Sequence, residues 1–218
     1  NRRVERLPHD QLRDALRTWR SQNYPGVTAI SRKLLLHWSD PSREDRILFA
    51  QREAAETAIY LAEVTGRDKY ETRMTVDWRQ LLEQANAEHN AGLPRVALKM
   101  ATGAGKTIVM AMLITWQTLN KVATPQDSRF AKRFLIVTPG ITIKDRLRVL
   151  QPTEPRDVNY YDLRGVIPRD LRQQLNLAEV HIVNYHQFQA RTTAAGKGIS
   201  ANTRKLLLAG KPDQGAFT

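Results

Sequence analysis

Ala101-Thr102-Gly103-Ala104-Gly105-Lys106-Thr107 follows one apolar stretch, Val96-Ala97-Leu98-Lys99-Met100, and precedes another, Ile108-Val-Met-Ala-Met-Leu-Ile-Thr-Trp116. The pattern predicts a strand over residues 95–100, a glycine loop, and a helix over 106–119, the order that a phosphate-binding loop requires. Gly103 and Gly105 let the backbone turn tightly and bring its N–H groups up to phosphate oxygens. A helix starting near Lys106 adds the positive end of its dipole. Lys106 is then placed for the β- and γ-phosphates, and the Thr107 hydroxyl for Mg²⁺. Thr102 and Ala104 complete the loop. A plain glycine turn would leave the Gly-Lys-Thr order after a strand unexplained. The stricter pattern has Gly where Met100 stands, but the phosphate contacts come from Gly103 through Thr107.

The 218 residues, 41% of them hydrophobic, suffice for one large domain or for a domain with an appendage. With no cysteine, disulfides and thiolate metal sites are excluded. No apolar run approaches the roughly 18 residues of a membrane span, and Asn1-Arg-Arg-Val-Glu-Arg6 lacks a signal core. A soluble, cytoplasmic protein is therefore expected. The absence of an initiator Met suggests a piece of something longer. The net charge of +12 is unevenly placed: residues 1–94 carry 15 basic and 14 acidic groups, residues 95–218 carry 19 and 8. A basic excess in the half with the phosphate loop points to a polyanionic partner, nucleic acid first. A solubilising surface is the bland alternative. His9, His37, His89, His181 and His186 are too scattered to define a metal site.

Before the loop the chain reads as helical. Leu12, Leu16 and Trp19 share a helical face within residues 10–20, and Tyr24-Pro25-Gly26 turns the chain. Thr28 or Ser31 can cap a second helix ending at Trp38. Further helices are predicted over 44–64 and 78–89, with a polar loop over 67–76 between them. After the loop, strands are predicted over 134–138, 158–161 and 180–183, with helices over 141–150 and 168–177. The tail around 194–201 is small and flexible in composition, with a helical turn or two over 203–208. Alternating strands and helices imply an α/β fold with a parallel sheet covered on both faces. Residues 1–94 form a helical N-terminal region and residues 95–218 an α/β domain.

Three stretches beyond the loop carry a family resemblance. Phe134-Leu-Ile-Val-Thr138-Pro139-Gly140, at a strand end, resembles motif Ia of superfamily 2 helicases and translocases of the DEAD/DEAH type. Val180-His-Ile-Val-Asn184-Tyr185-His186-Gln-Phe188 resembles the next DNA-contacting motif, in the form found in helicase (Res) subunits of type III restriction enzymes. Gln51, within Phe49-Ala-Gln51-Arg-Glu-Ala-Ala-Glu-Thr57, resembles the glutamine that reads adenine upstream of the loop. Met100 also fits the restriction-type form. The resemblance covers most of residues 43–208, and more weakly 19–40. It implies a first motor lobe of the RecA type, binding ATP with Mg²⁺ through Gln51 and residues 102–107. Thr138, Pro139, Gly140, Asn184 and Tyr185 are then expected on DNA, single- or double-stranded, with Lys144 and Arg148 on one face of the following helix. Expected partners are a second helicase lobe and nuclease or methyltransferase components of a longer bacterial parent.

That chemistry also needs an acidic box, an Asp for Mg²⁺ and a Glu for the attacking water. After Lys106 the acidic residues are Asp127, Asp145, Glu154, Asp157, Asp162, Asp170, Glu179 and Asp213, and none forms an Asp-Glu pair. The chain is expected to bind nucleotide and to hydrolyse it poorly by itself. Two rivals are a small-molecule P-loop enzyme and a non-catalytic nucleic-acid-binding module. The first would not explain the Thr138-Pro139 and Asn184-Tyr185 stretches or the basic bias; the second, with a vestigial nucleotide site, stays open.

Overall fold

The computed structural model describes residues 8–65, 78–89, 92–93 and 95–188. The predicted loop over 67–76, the tail over 194–201 and the turns over 203–208 lie outside them. Four helices come first: α1 (Pro8–Ser21), α2 (Ala29–Ser39), α3 (Phe49–Glu63) and α4 (Trp78–His89). Thr28 starts α2: its side chain accepts the Ser31 N–H at 3.0 Å, as an N-cap hydroxyl does. Helix α3 begins five residues later than its apolar pattern suggests. Leu48 is extended, and the Gln51 side chain reaches back to accept the Leu48 N–H at 3.0 Å.

Helix α5 (Lys106–Ala123) is the centre of the molecule. Val109, Ala111, Met112, Ile114, Trp116 and Leu119 are buried along it, so apolar residues cover more than one face, as expected of a core helix. Helices α2 and α3 pack on it from one side, and α7 (Tyr160–Leu163) and α8 (Arg172–Leu175) also contact it. The packing thus runs across residue 94, where the composition changes.

The sheet has two parallel strands, β1 (Arg133–Thr138) and β2 (Glu179–Asn184), in register from Arg133↔Glu179 to Thr138↔Asn184. Phe134, Ile136, Val180 and Ile182 pack against the core. The opposite face carries Leu135 and Val137, exposed at 52% and 47%. Short elements connect the strands: α6 (Ile141–Arg146), a 3₁₀ turn over Leu147–Leu150, α7, a 3₁₀ turn over Arg169–Leu171, and α8. A last 3₁₀ turn, Tyr185–Gln187, follows β2.

Two predicted strands are corrected. Residues 95–100 have no strand conformation. The sheet contains only β1 and β2 among the described residues, and a strand without a neighbour has no ladder to form. Residues 158–161 instead turn into α7, because the Asn159 side chain accepts the Asp162 N–H at 2.9 Å and caps a helix. Tyr161 is fully buried there, and its hydroxyl donates to the Leu150 carbonyl at 2.7 Å. Burial pushes that phenol well above its usual pKa, so Tyr161 is a packing residue.

Candidate nucleotide and nucleic-acid site

The glycine loop has the backbone that its spacing predicts. Gly103 and Gly105 sit at φ +80° and +82°, the left-handed region that side chains disfavour. Gly105 is the N-cap of α5, and its carbonyl accepts the Ile108 N–H at 2.9 Å. The N–H groups of Lys106 and Thr107, ahead of that bond, have no acceptor within the helix and are open to a ligand. Thr107, partly buried, stands in this first turn.

Gln51 lies against this loop although 53 positions separate it from Ala104, whose carbonyl accepts from the Gln51 amide at 3.1 Å. Gln51 is 3% exposed, and its amide joins the Leu48 N–H to the loop. It also occupies the space a side chain at Gly105 would need: an added Cβ would lie 2.1 Å from the Gln51 amide nitrogen. Gly105→Ala therefore meets two penalties, left-handed strain of about 1–2 kcal/mol and displacement of a buried amide. Nucleotide affinity is expected to fall at least tenfold in that variant, measured by calorimetric titration. Unchanged affinity would show that the amide is not a brace.

Lys106 is exposed, and its ammonium donates to the Ala101 carbonyl at 2.8 Å. The lysine is folded over its own loop, so phosphate binding exchanges that bond for charge-assisted ones. A cavity of about 670 Å³ with mostly apolar walls from α1 and α3 reaches the loop at Ala101 and Ala104.

The two strand ends also meet. Thr138 and Asn184 are register partners at the carboxyl end of the sheet. Both side chains are buried and locally engaged: Thr138 Oγ1 donates to the Gly140 carbonyl at 3.1 Å, and Asn184 Oδ1 accepts the His186 N–H at 2.9 Å. What they present outward is Pro139, Gly140 and Tyr185, the last 53% exposed.

The predicted pair on one helix face is not formed. Helix α6 stops at Arg146, and Arg148 lies in the 3₁₀ turn, whose tighter winding changes the angular step. Arg148 Nη2 pairs with Glu154 Oε1 at 3.0 Å, with Nε on the same oxygen at 3.2 Å. Lys144 has no ion-pair partner among the described residues. Among the described residues no group of three or more His, Cys, Asp or Glu is arranged to hold a metal ion. No described helix is long and apolar enough to cross a membrane. A second cavity, lined by arginines from three separated segments, has no sequence spacing that could have announced it.

A family model described as type III restriction enzyme, res subunit, matches residues 44–209. No curated protein and no solved structure matches the chain.

Proposed function

From membership of the type III restriction enzyme res subunit family, to which this chain belongs, we propose that it is the ATP-binding first lobe of a DNA translocase or helicase. The family makes it a helicase-type ATP-binding domain. The observation that supports the finer reading is the braced glycine loop at the start of a buried helix. The loop N–H groups and Lys106 hold the phosphates, and Thr107 carries Mg²⁺, which would neutralise charge on the β- and γ-oxygens. Gln51 keeps one amide hydrogen and one oxygen lone pair beyond its two bonds, and these read the adenine edge. Residues 95–218 belong to a RecA-type lobe in this reading, with residues 1–94 as its helical lead. The parallel two-stranded sheet and the helices beside it support that reading. DNA runs over the strand ends at Pro139, Gly140 and Tyr185, with Thr138 and Asn184 shaping the two turns and Lys144 on a phosphate.

Fluorescence anisotropy on a labelled DNA strand at several salt concentrations tests the nucleic-acid half. Affinity should be micromolar or weaker and fall steeply with salt, because counterion release dominates non-specific binding. Lys144→Ala should flatten the log–log slope by about one unit, the share of one phosphate contact. Arg148→Ala should do less, since Glu154 already occupies that guanidinium. Arg17→Ala, on α1 and paired with Asp14, is the control and should leave the slope unchanged. If Lys144→Ala and Arg17→Ala behave alike, the basic excess is only a solvated surface. Nucleotide binding without any DNA binding would favour a small-molecule enzyme instead.

A further inference from the structure

The cavity of about 600 Å³ away from the glycine loop lies between the turn after α2 and the segment from 156 to 172. None of its lining residues belongs to the loop. Arg172 is matched there, donating to Asp162 at 2.8 Å. Arg43, Arg156 and Arg169 line the same space, and no ion pair joins any of them to a described carboxylate. Arg43 is held rigidly all the same. Its Nη1 donates to the His37 carbonyl at 3.1 Å, its Nε to the Asp45 carbonyl at 3.2 Å, and its Nη2 to the Gly165 carbonyl at 2.7 Å.

Carbonyl oxygens orient the half-buried Arg43 guanidinium, and the carboxylates of Asp45 and Asp40 act on it without closing an ion pair. Burial lowers its pKa without removing the charge. Burial also lowers the pKa of His37, whose ring hydrogen-bonds the Gly165 carbonyl. Glu44 and Asp45 line the cavity as well, without ion-pair partners among the described residues. Three guanidiniums suit a multidentate oxyanion such as phosphate. Two carboxylates beside them suit hydroxyl donors. We propose that this cavity binds a sugar phosphate unit, with the phosphate on Arg43, Arg156 and Arg169 and the hydroxyls on Glu44 and Asp45.

Calorimetric titration with ribose 5-phosphate tests this, using Lys106→Ala as the parent so that the glycine loop contributes little. Saturable binding should persist in Lys106→Ala and weaken at least tenfold when Arg156→Ala and Arg169→Ala are added. Both arginines are exposed, so the fold should survive, which circular dichroism checks. Lys132→Ala with Arg95→Ala, exposed and outside the cavity, should change nothing. Inorganic phosphate should bind more weakly than the sugar phosphate. Competition by a short single-stranded RNA would identify the nucleic-acid backbone as the source; no competition would identify a free metabolite. No saturable binding to Lys106→Ala overturns the proposal, as does equal binding after removal of both arginines. If wild type binds the probe and Lys106→Ala does not, the ligand sits on the glycine loop and the cavity is not its site.

Discussion

Lys106→Ala is expected to weaken Mg²⁺-dependent ATP binding about a hundredfold, about 2.7 kcal/mol. The magnitude follows from hydrogen bonds to charged groups, worth about 1.5–3 kcal/mol each when made in a protected site. The loss is smaller than the gross strength of such bonds, because Lys106 first gives up its bond to the Ala101 carbonyl. Stability should hardly move, since the side chain is exposed and among the described residues meets only a loop carbonyl. Titration calorimetry with Mg·ATP on both forms, alongside a melting curve, separates the two effects. Equal affinities would remove the nucleotide reading together with everything built on it.

The largest effect on stability is expected from Glu63, which is 1% exposed at the end of α3. Its carboxylate accepts the Thr28 N–H at 2.8 Å and the Trp116 indole N–H at 2.7 Å, and the Ser31 hydroxyl donates to it as well. The amide of Asn120 donates to the same serine at 2.9 Å. One carboxylate thus joins α2, α3 and α5. Glu63→Ala takes the acceptor from the Thr28 N–H and the Ser31 hydroxyl and leaves the Trp116 indole only its bond to the Ser31 hydroxyl at 3.0 Å, each lost acceptor costing about 1–3 kcal/mol after partial relaxation. A net loss of about 3–5 kcal/mol is expected, within the range for breaking a buried network. Glu63→Gln keeps the shape but sets an amide N–H against one donor, and should cost about 1–2 kcal/mol. Urea denaturation of the three proteins checks the order. Equal midpoints would show that the network is dispensable.

These two residues mark how far the sequence could be read. The loop from Gly103 to Thr107 was legible because its chemistry and spacing are local, and the structure has both glycines at positive φ. The helix before each turn was legible from apolar periodicity, and Thr28 from its capping chemistry. Glu63 was not. In an amphipathic helix a glutamate reads as a surface residue, and its partners lie 35, 32 and 53 positions away. Gln51 was singled out only by family resemblance; no local pattern shows that it will brace a loop 53 positions downstream. Residues 95–100 failed for the opposite reason. Their apolar pattern suits a strand, but strand formation depends on a neighbour that periodicity does not supply. In 158–161 the capping power of Asn159 overrode the pair of tyrosines.

The closure of α2 onto the distant turn at 164–166 has a consequence for synthesis. The Trp38 indole donates to the Val166 carbonyl at 2.8 Å across 128 positions, and His37 is bonded to the Gly165 carbonyl. A nascent chain leaves the ribosome with Trp38 ready to be buried and the carbonyl its indole needs not yet made. At roughly 5–20 residues per second the wait is on the order of ten seconds. During that interval the Trp38 end of α2 is open to chaperones or to neighbouring chains on the same messenger. Closure of the Trp38 end of α2 is therefore timed by the arrival of Gly165 and Val166.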